Sequence, residues 1–288
     1  MKSSIYSTFS VFITLLLNTA YGQVYCSYQE AMHLDAKDSV IFIWLDSNDY
    51  NSTIDFSLFP NLEELSIRNW NSNYQVLDYS PTITRLDLYK CKGLASLNFS
   101  NFKNIKELSI CFSEDVENLD FSIFNNLERL QISNNQLRVF PTNLTKLKTI
   151  KVLNIGESYG DASPMCMDDI YLQTQNKIVS LPESIGDLTE LEDLDISFNP
   201  IKNLPESLKN LTKLKSIDIS KTDIQEIPDF FINKSRKEYF YIRYYKGKEN
   251  HFSSKTKRFL NKQKFAASST VRCKKSGRYV RISKLIGD

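Results

Sequence analysis

With 288 residues, 41% of them hydrophobic, the chain has enough apolar material for one elongated or two compact domains, which excludes a disordered tail. The formal charge of +2 conceals a division: residues 1–228 hold 19 Lys+Arg against 30 Asp+Glu, and the last 60 residues hold 17 against 4. A net of −11 therefore precedes a net of +13, so the C-terminal segment is expected to meet something acidic, in another molecule or in the rest of its own chain.

The sequence opens MKSSIYSTFSVFITLLLNTAYGQ, with one early cation (Lys2), an apolar run from Phe9 to Leu17, and Ala20 and Gly22 placed three and one residues before a cleavage point at Gln23. This pattern predicts a secretory signal over residues 1–22. The apolar run is too short to span a hydrocarbon core, which needs ~20 residues. The mature chain is therefore expected to be secreted or at the cell surface, or periplasmic if its source is bacterial. Lipidation at Cys26 is disfavoured, because Tyr25 before it is too bulky for a lipid-attachment motif. The five cysteines, Cys26, Cys91, Cys111, Cys166 and Cys273, are odd in number and form no framework, so stability is expected to come mainly from packing. Next, SYQEAMHLDAKDS reads as a short amphipathic helix with Tyr28, Ala31 and Met32 turned inward, the core of an N-terminal cap over residues 23–39.

A repeat then begins. The copies are VIFIWLDSN from Val40, LEELSIRN from Leu62, ITRLDLYKC from Ile83, IKELSICFS from Ile105, LERLQISNN from Leu127, IKVLNIGES from Ile150, LEDLDISFN from Leu191 and LKSIDISKT from Leu214. Their starts lie 22, 21, 22, 22, 23, 41 and 23 residues apart. In each copy the fourth and sixth positions are apolar and flank one variable residue, the period-2 signature of a short strand with one buried face. One such strand cannot bury its apolar side alone, so the copies are expected to stack into a parallel sheet over a shared core. The ninth position is Asn48, Cys91, Asn135 or Asn199 in four copies, where an inward polar side chain can satisfy turn backbone groups. Trp70, Ser113, Ser158 and Thr222 depart from it, and their turns are expected to be looser.

These eight copies resemble the leucine-rich repeat family, whose pattern is LxxLxLxxN, and cover about residues 40–231. The resemblance implies an α/β solenoid, a horseshoe with a parallel β-sheet on its concave face, an N-terminal capping helix and here a basic C-terminal extension. It also implies interaction rather than catalysis.

The segments that return the chain between strands come in two dialects. IDFSLFPNL, LNFSNFKNI and LDFSIFNNL predict two aromatic files behind the sheet, Phe56, Phe99 and Phe121 beside Phe59, Phe102 and Phe124. From Phe140 onward FPTNL, LPESI, LPESL and IPDFF predict a helical turn with Pro at its first position. The spacing of 41 leaves 18 residues beyond a period of 23, an insertion at about residues 158–176 that is either a tolerated surface loop or a flap beside the binding face. Residues 232–288 read as a C-terminal cap and basic extension: a covering strand in EYFYIRYY, a basic helix in SSKTKRFLNKQKF and a hairpin in TVRCKKSGRYVRI.

Convergent chemistry is sparse. The two histidines are His33 and His251, and HExxH, GxSxG and P-loop patterns are absent, so no catalytic residue, metal or cofactor is expected. Met165, Cys166 and Met167 are soft ligands, but adjacent side chains point apart and no histidine supports them. What remains is a surface. The third, fifth, seventh and eighth positions stand free of the core, and Trp44, Arg68, Asp87, Tyr89, Phe112, Arg129, Asp195, Phe198 and Asp218 are the expected partner-binding residues there, rich in the types that form interface hot spots. Trp44 has the alternative of lying under the N-terminal cap, and Phe198 under the insertion. The expected partner is a protein, with a glycan less favoured. The rival reading gives the work to the basic tail, gripping an anionic polysaccharide or lipid, with nucleic acid disfavoured for an exported chain.

Overall fold

The computed structural model describes residues 23–46, 54–71, 82–156, 174–237, 240–244 and 252–262. The signal, the insertion up to residue 173 and the C-terminal hairpin lie outside the described residues. The chain divides into two compact units, Met1–Leu127 and Glu128–Asp288.

In the first unit β1 (Val24–Ser27), β2 (Val40–Leu45), β3 (Glu64–Arg68), β4 (Arg85–Tyr89) and β5 (Glu107–Cys111) pair in chain order, all parallel. Like positions face like: Leu65 pairs with Leu86 and Leu86 with Leu108, and Ile67 with Leu88 and Leu88 with Ile110. All six are buried, each stabilising the stack by roughly 1.5–3 kcal/mol. Behind the strands, all six predicted phenylalanines are buried, and Phe99 meets Phe124 edge-on at 5.4 Å. The DFS and NFS phrases explain the tight returns. Asp55, Asn98 and Asp120 each accept the backbone N–H of the serine two residues on, at 2.9, 3.2 and 3.0 Å, and cap a single 3-10 turn.

The N-terminal helix is α1 (Tyr28–Met32), begun by a capping box in which Ser27 Oγ accepts Glu30 N–H at 3.2 Å and Glu30 accepts Ser27 N–H at 2.9 Å. Tyr28 packs edge-on against Phe56 and Phe59, its hydroxyl accepting Asp55 N–H at 3.0 Å, and Ala31 is buried. Met32, expected inward, is 39% exposed. It is the last residue of a five-residue helix whose inward face Tyr28 and Ala31 already fill. The strand β1 ahead of this helix has no counterpart in the sequence reading.

The second unit repeats the plan with β6 (Arg129–Ser133), β7 (Val152–Asn154), β8 (Asp193–Asp195), β9 (Ser216–Asp218) and β10 (Tyr241–Arg243), again parallel and in chain order. Pro141, Pro182 and Pro205 sit one residue earlier than expected, as the caps of 3-10 turns at Thr142–Lys146, Glu183–Asp187 and Glu206–Asn210. Proline loses nothing there, since a cap residue needs no N–H inside the turn.

Asparagines tie these turns together. Asn199 Nδ2 donates to Ile155 O at 3.0 Å and Ser197 O at 3.1 Å, and its Oδ1 accepts Ile178 N–H at 3.0 Å. Asn176 does the same one repeat earlier. It donates to Ile132 O at 2.7 Å and Ile155 O at 3.0 Å and accepts Asn135 N–H at 3.0 Å and Leu137 N–H at 3.2 Å. Asn176 thus holds the ninth position of the copy begun at Ile150, which fixed spacing assigns to Ser158. Of the departures, Ser113 accepts Cys91 N–H at 3.0 Å and Thr222 donates to Ile219 O at 2.8 Å, so both still serve their turns.

The C-terminal elements dock on the last repeat. After α2 (Asp229–Lys237) comes β10, and then α3 (Ser254–Lys262) buries Thr256 and Leu260. Thr256 Oγ1 accepts Ile227 N–H at 3.1 Å and donates to Glu226 at 3.2 Å, and Lys255 pairs with Asp229 at 2.8 Å. Tyr244 and Phe252 meet edge-on at 5.8 Å and are buried. Thr256→Val is expected to leave Ile227 N–H buried without its acceptor and to lower the stability of the second unit by ~1–3 kcal/mol in urea unfolding.

Two cysteines, Cys26 and Cys91, are free and buried, and burial pushes both thiols up to about 12, helped at Cys26 by the Glu30 charge and opposed at Cys91 by its hydrogen bonds. Neither thiol is reactive in the folded chain. Cys91 lies inward, its sulfur 3.5 Å from Ile67 O, while Cys111 is disulfide-bonded, with a partner outside the described residues. Packing is therefore supplemented by a covalent link that cysteine spacing does not reveal.

Candidate functional site

The strand face opposite the core is built by the third, fifth, seventh and eighth positions, and the backbone fixes the last of these. Asn69, Lys90, Phe112, Asn134, Phe198 and Lys221, all eighth positions, have φ between 54° and 59°. The left-handed turn ends each strand while keeping the interstrand bonds, as in Asn69 N–H to Tyr89 O at 2.9 Å and Lys90 N–H to Cys111 O at 3.0 Å. Asparagine tolerates this conformation, but a bulky phenylalanine pays roughly 1–2 kcal/mol for it. Phe112 and Phe198 are therefore held at the strand exits against their local preference.

On the first unit, aromatic and cationic groups form a connected row. Tyr25 meets Phe42 at 5.7 Å, Phe42 meets Trp44 at 5.9 Å, and the Arg68 guanidinium lies 5.8 Å from the Trp44 ring centre. Further on, Tyr89 meets Phe112 edge-on at 5.6 Å and Lys90 lies over Tyr89 at 5.1 Å. Arg68 and Tyr89 are register partners, and Trp44, Arg68, Tyr89 and Phe112 are all half-buried. Asp87, expected on this face, is buried, in register with Ser66 and Ser109. Beside the row, Arg85 bridges Glu64 at 2.7 Å and Glu107 at 3.0 Å. Arg85 is thus shared by two carboxylates, and the pairs, being partly exposed, add little stability.

The second unit's face is polar. Arg129 is exposed and Phe198 half-buried. At the fifth positions Asn154, Asp195, Asp218 and Arg243 are successive register partners. Asn154, Asp195 and Asp218 each accept, at 2.9 Å, the N–H of the residue two further on: Gly156, Ser197 and Ser220. Gly156 has a packing reason. A Cβ there would lie 2.4 Å from Asp195 Oδ1 and 2.5 Å from Ser197 Oγ. Flanking this face, Lys151 pairs with Glu128 at 2.6 Å and Lys215 with Glu192 at 2.5 Å.

The structure thus brings Trp44 to Arg68 and Tyr89 to Phe112, and Asp195 to Asp218, each within its own unit. Sequence reasoning missed Tyr25, whose signal was only the alternation in VYCS, and Arg243, which aligns with Asp218 once Ile242 is recognised as the inward residue of its strand. Among the described residues no group of three or more His, Cys, Asp or Glu side chains is arranged to hold a metal ion, and no helix is long and apolar enough to cross a membrane.

Comparison with known proteins agrees on the repeat. The family model described as Leucine Rich Repeat matches residues 126–147 and 190–211. The mouse (Mus musculus) leucine-rich repeat and calponin homology domain-containing protein 1 is 36% identical over 78 residues, which is 26% of this chain and 11% of that protein. Among solved structures, an internalin of Listeria monocytogenes aligns at 17% identity with a TM-score of 0.45, over 71% of this chain and 54% of the internalin. A leucine-rich repeat protein of Leptospira interrogans aligns at 15% with a TM-score of 0.35, over 78% of this chain and 72% of that one. The functional domain of InlJ from Listeria monocytogenes, described as including a cysteine ladder, aligns at 19% with a TM-score of 0.40, over 73% and 45%. The family model covers two of the copies, and the strand, turn and asparagine geometry it marks recurs in copies that it does not cover.

Proposed function

We propose that this is an exported binding protein that takes a protein partner on the strand face of its first unit, the concave side of the repeat stack. The observation that carries the reading is the half-exposed row in which Arg68 lies over Trp44 and Tyr89 meets Phe112. Large aromatic side chains with an adjoining arginine, already fixed by mutual contact, lose little side-chain entropy on binding. Arg85 alongside is taken up by Glu64 and Glu107, so shape and aromatic area would dominate the choice of partner. Export rests on the N-terminal pattern of one cation, an apolar run and small residues before Gln23. Residues 23–39 and 232–262 serve as the two caps in this reading, and the residues beyond as an extension.

Arg68→Ala combined with Tyr89→Ala is expected to weaken partner binding at least tenfold, measured by surface capture from the native extracellular fraction. The melting temperature should change by no more than a few degrees. Unchanged capture would move the site elsewhere, and a large loss of stability would make these residues structural.

A second reading is favoured by one observation: α3 exposes Lys257 and Arg258 while burying Thr256 and Leu260. Its outer side would grip an anionic polysaccharide or lipid. Raising salt separates the two, because attachment through the helix should collapse as the Debye length shrinks below ~8 Å, whereas an aromatic-centred complex should persist.

A further inference from the structure

The second unit carries an arrangement that partner binding by the first does not use. Asp195 on β8 and Asp218 on β9 are register partners on the same face of adjacent parallel strands, where neighbouring strands lie about 4.8 Å apart. One oxygen of each is committed, Asp195 Oδ1 to Ser197 N–H and Asp218 Oδ1 to Ser220 N–H. Asp218 Oδ2 lies 3.3 Å from Arg243 Nε on β10, an ion-pair contact without the alignment of a hydrogen bond. On the other side β7 offers only neutral groups, Asn154 and Gly156, and Asp195 leans into the space that the missing Gly156 Cβ leaves. Within β8, Asp193 takes the Ser216 hydroxyl as its own partner. Among the described residues, the charged groups facing Asp195 from the packed strands are thus Asp218 and, one strand further, Arg243. Two carboxylates stand beside one guanidinium, and the guanidinium serves the nearer one, Asp218.

We infer that Asp195, held beside the Asp218 carboxylate across the β8–β9 register, retains a proton there, so that the strand face of the second unit is a charge switch operated by pH. With the proton bound, the Asp195, Asp218 and Arg243 group is neutral. When it leaves to solvent, the group carries one uncompensated negative charge. Burial first, and the neighbouring Asp218 carboxylate second, push Asp195 up to about 7, against the Ser197 hydrogen bonds and the Arg243 charge, which pull it down. The switching range therefore brackets neutrality. The chain's own neighbour shows that charge is not required by the fold, since β7 holds Asn154 in the same place with the same backbone contact.

The inference is independent of which partner the first unit binds. It is tested by following the aspartate side-chain carboxyl carbons of the full chain by NMR between pH 4 and 9. One resonance is expected to titrate near pH 7, to vanish in Asp195→Asn and to move down by a pH unit or more in Asp218→Asn. Arg243→Gln should move it upward. Both aspartates have the isosteric Asn154 as a precedent, so the variants should fold. The absence of any aspartate midpoint above pH 5.5 would overturn the inference. So would a high midpoint unmoved by Asp218→Asn, which would assign it to burial alone. A second readout is thermal unfolding. Folded Asp195 holds a proton between its usual range near 4 and about 7 that the unfolded residue has already lost. Stability should therefore fall as pH rises through that window and level off above it. Asp195→Asn should be less pH-dependent over the same range, and identical slopes would count against a proton held at Asp195.

Discussion

Leu194→Asp is expected to unfold the second unit around its substitution site. Leu194 is fully buried in β8, in register with Leu153 on one side and Ile217 on the other. A carboxylate there has no partner, and burying one unpaired costs several kcal/mol, a large fraction of the 5–15 kcal/mol that holds a typical domain together. Because each strand completes the core of the next, the loss should spread. Hydrogen exchange is expected to accelerate in β7 and β9 as well as β8. Acceleration confined to residues 193–195 would show that the repeats are energetically separate.

Asn176→Ala should be nearly as damaging, although it removes only a small polar side chain. The amide accepts the N–H groups of Asn135 and Leu137 and donates to the carbonyls of Ile132 and Ile155, all buried. Alanine leaves four backbone groups short of a partner, at ~1–3 kcal/mol for each that water cannot reach. The expected loss is ~3–5 kcal/mol in urea unfolding of the second unit. Ser180→Ala, on an exposed residue of the same return segment, should stay within ~0.5 kcal/mol. Equal effects would mean that the asparagine does not bind adjacent repeats together.

That residue also shows where sequence stops being legible. The strands could be read because the fourth and sixth positions must be apolar in every copy, and the phenylalanine files because two aromatic positions recur with the same DFS-type cap. The insertion defeats counting forward from Ile150, which lands on Ser158. Counting backward succeeds, since Asn135, Asn176 and Asn199 each stand six residues before a proline, Pro141, Pro182 and Pro205. The turn geometry is fixed from its C-terminal side, and forward spacing ignores that. Other features depend on register between strands and leave no mark in a single copy. Arg243 beside Asp218 is one. Asp87 is another, since an outward position is open only if its cross-strand neighbours leave it so. Phe112 and Phe198 were legible as face residues, but not their left-handed backbone, because asparagine and lysine occupy the same place in other copies.

The α3 contacts revise the role of the basic segment. Its first helix covers the end of the last repeat through Thr256 and Leu260 while Lys257 and Arg258 face outward. Capping and attachment are therefore compatible within one helix, and deleting it would confuse them. Lys257→Glu with Arg258→Glu would change the outer charge and spare the buried contacts.

The central claim, that the strand face rather than the return side meets the partner, is tested most directly by site-specific photo-crosslinking. A photoreactive phenylalanine analogue replaces Phe112 on the strand face or Ile123, which is 38% exposed on the return side. The full chain then captures its partner from the native extracellular fraction. The structure predicts a crosslinked partner from position 112, abolished by Arg68→Ala with Tyr89→Ala, and none from position 123. Crosslinking from position 123 with none from position 112 would contradict it.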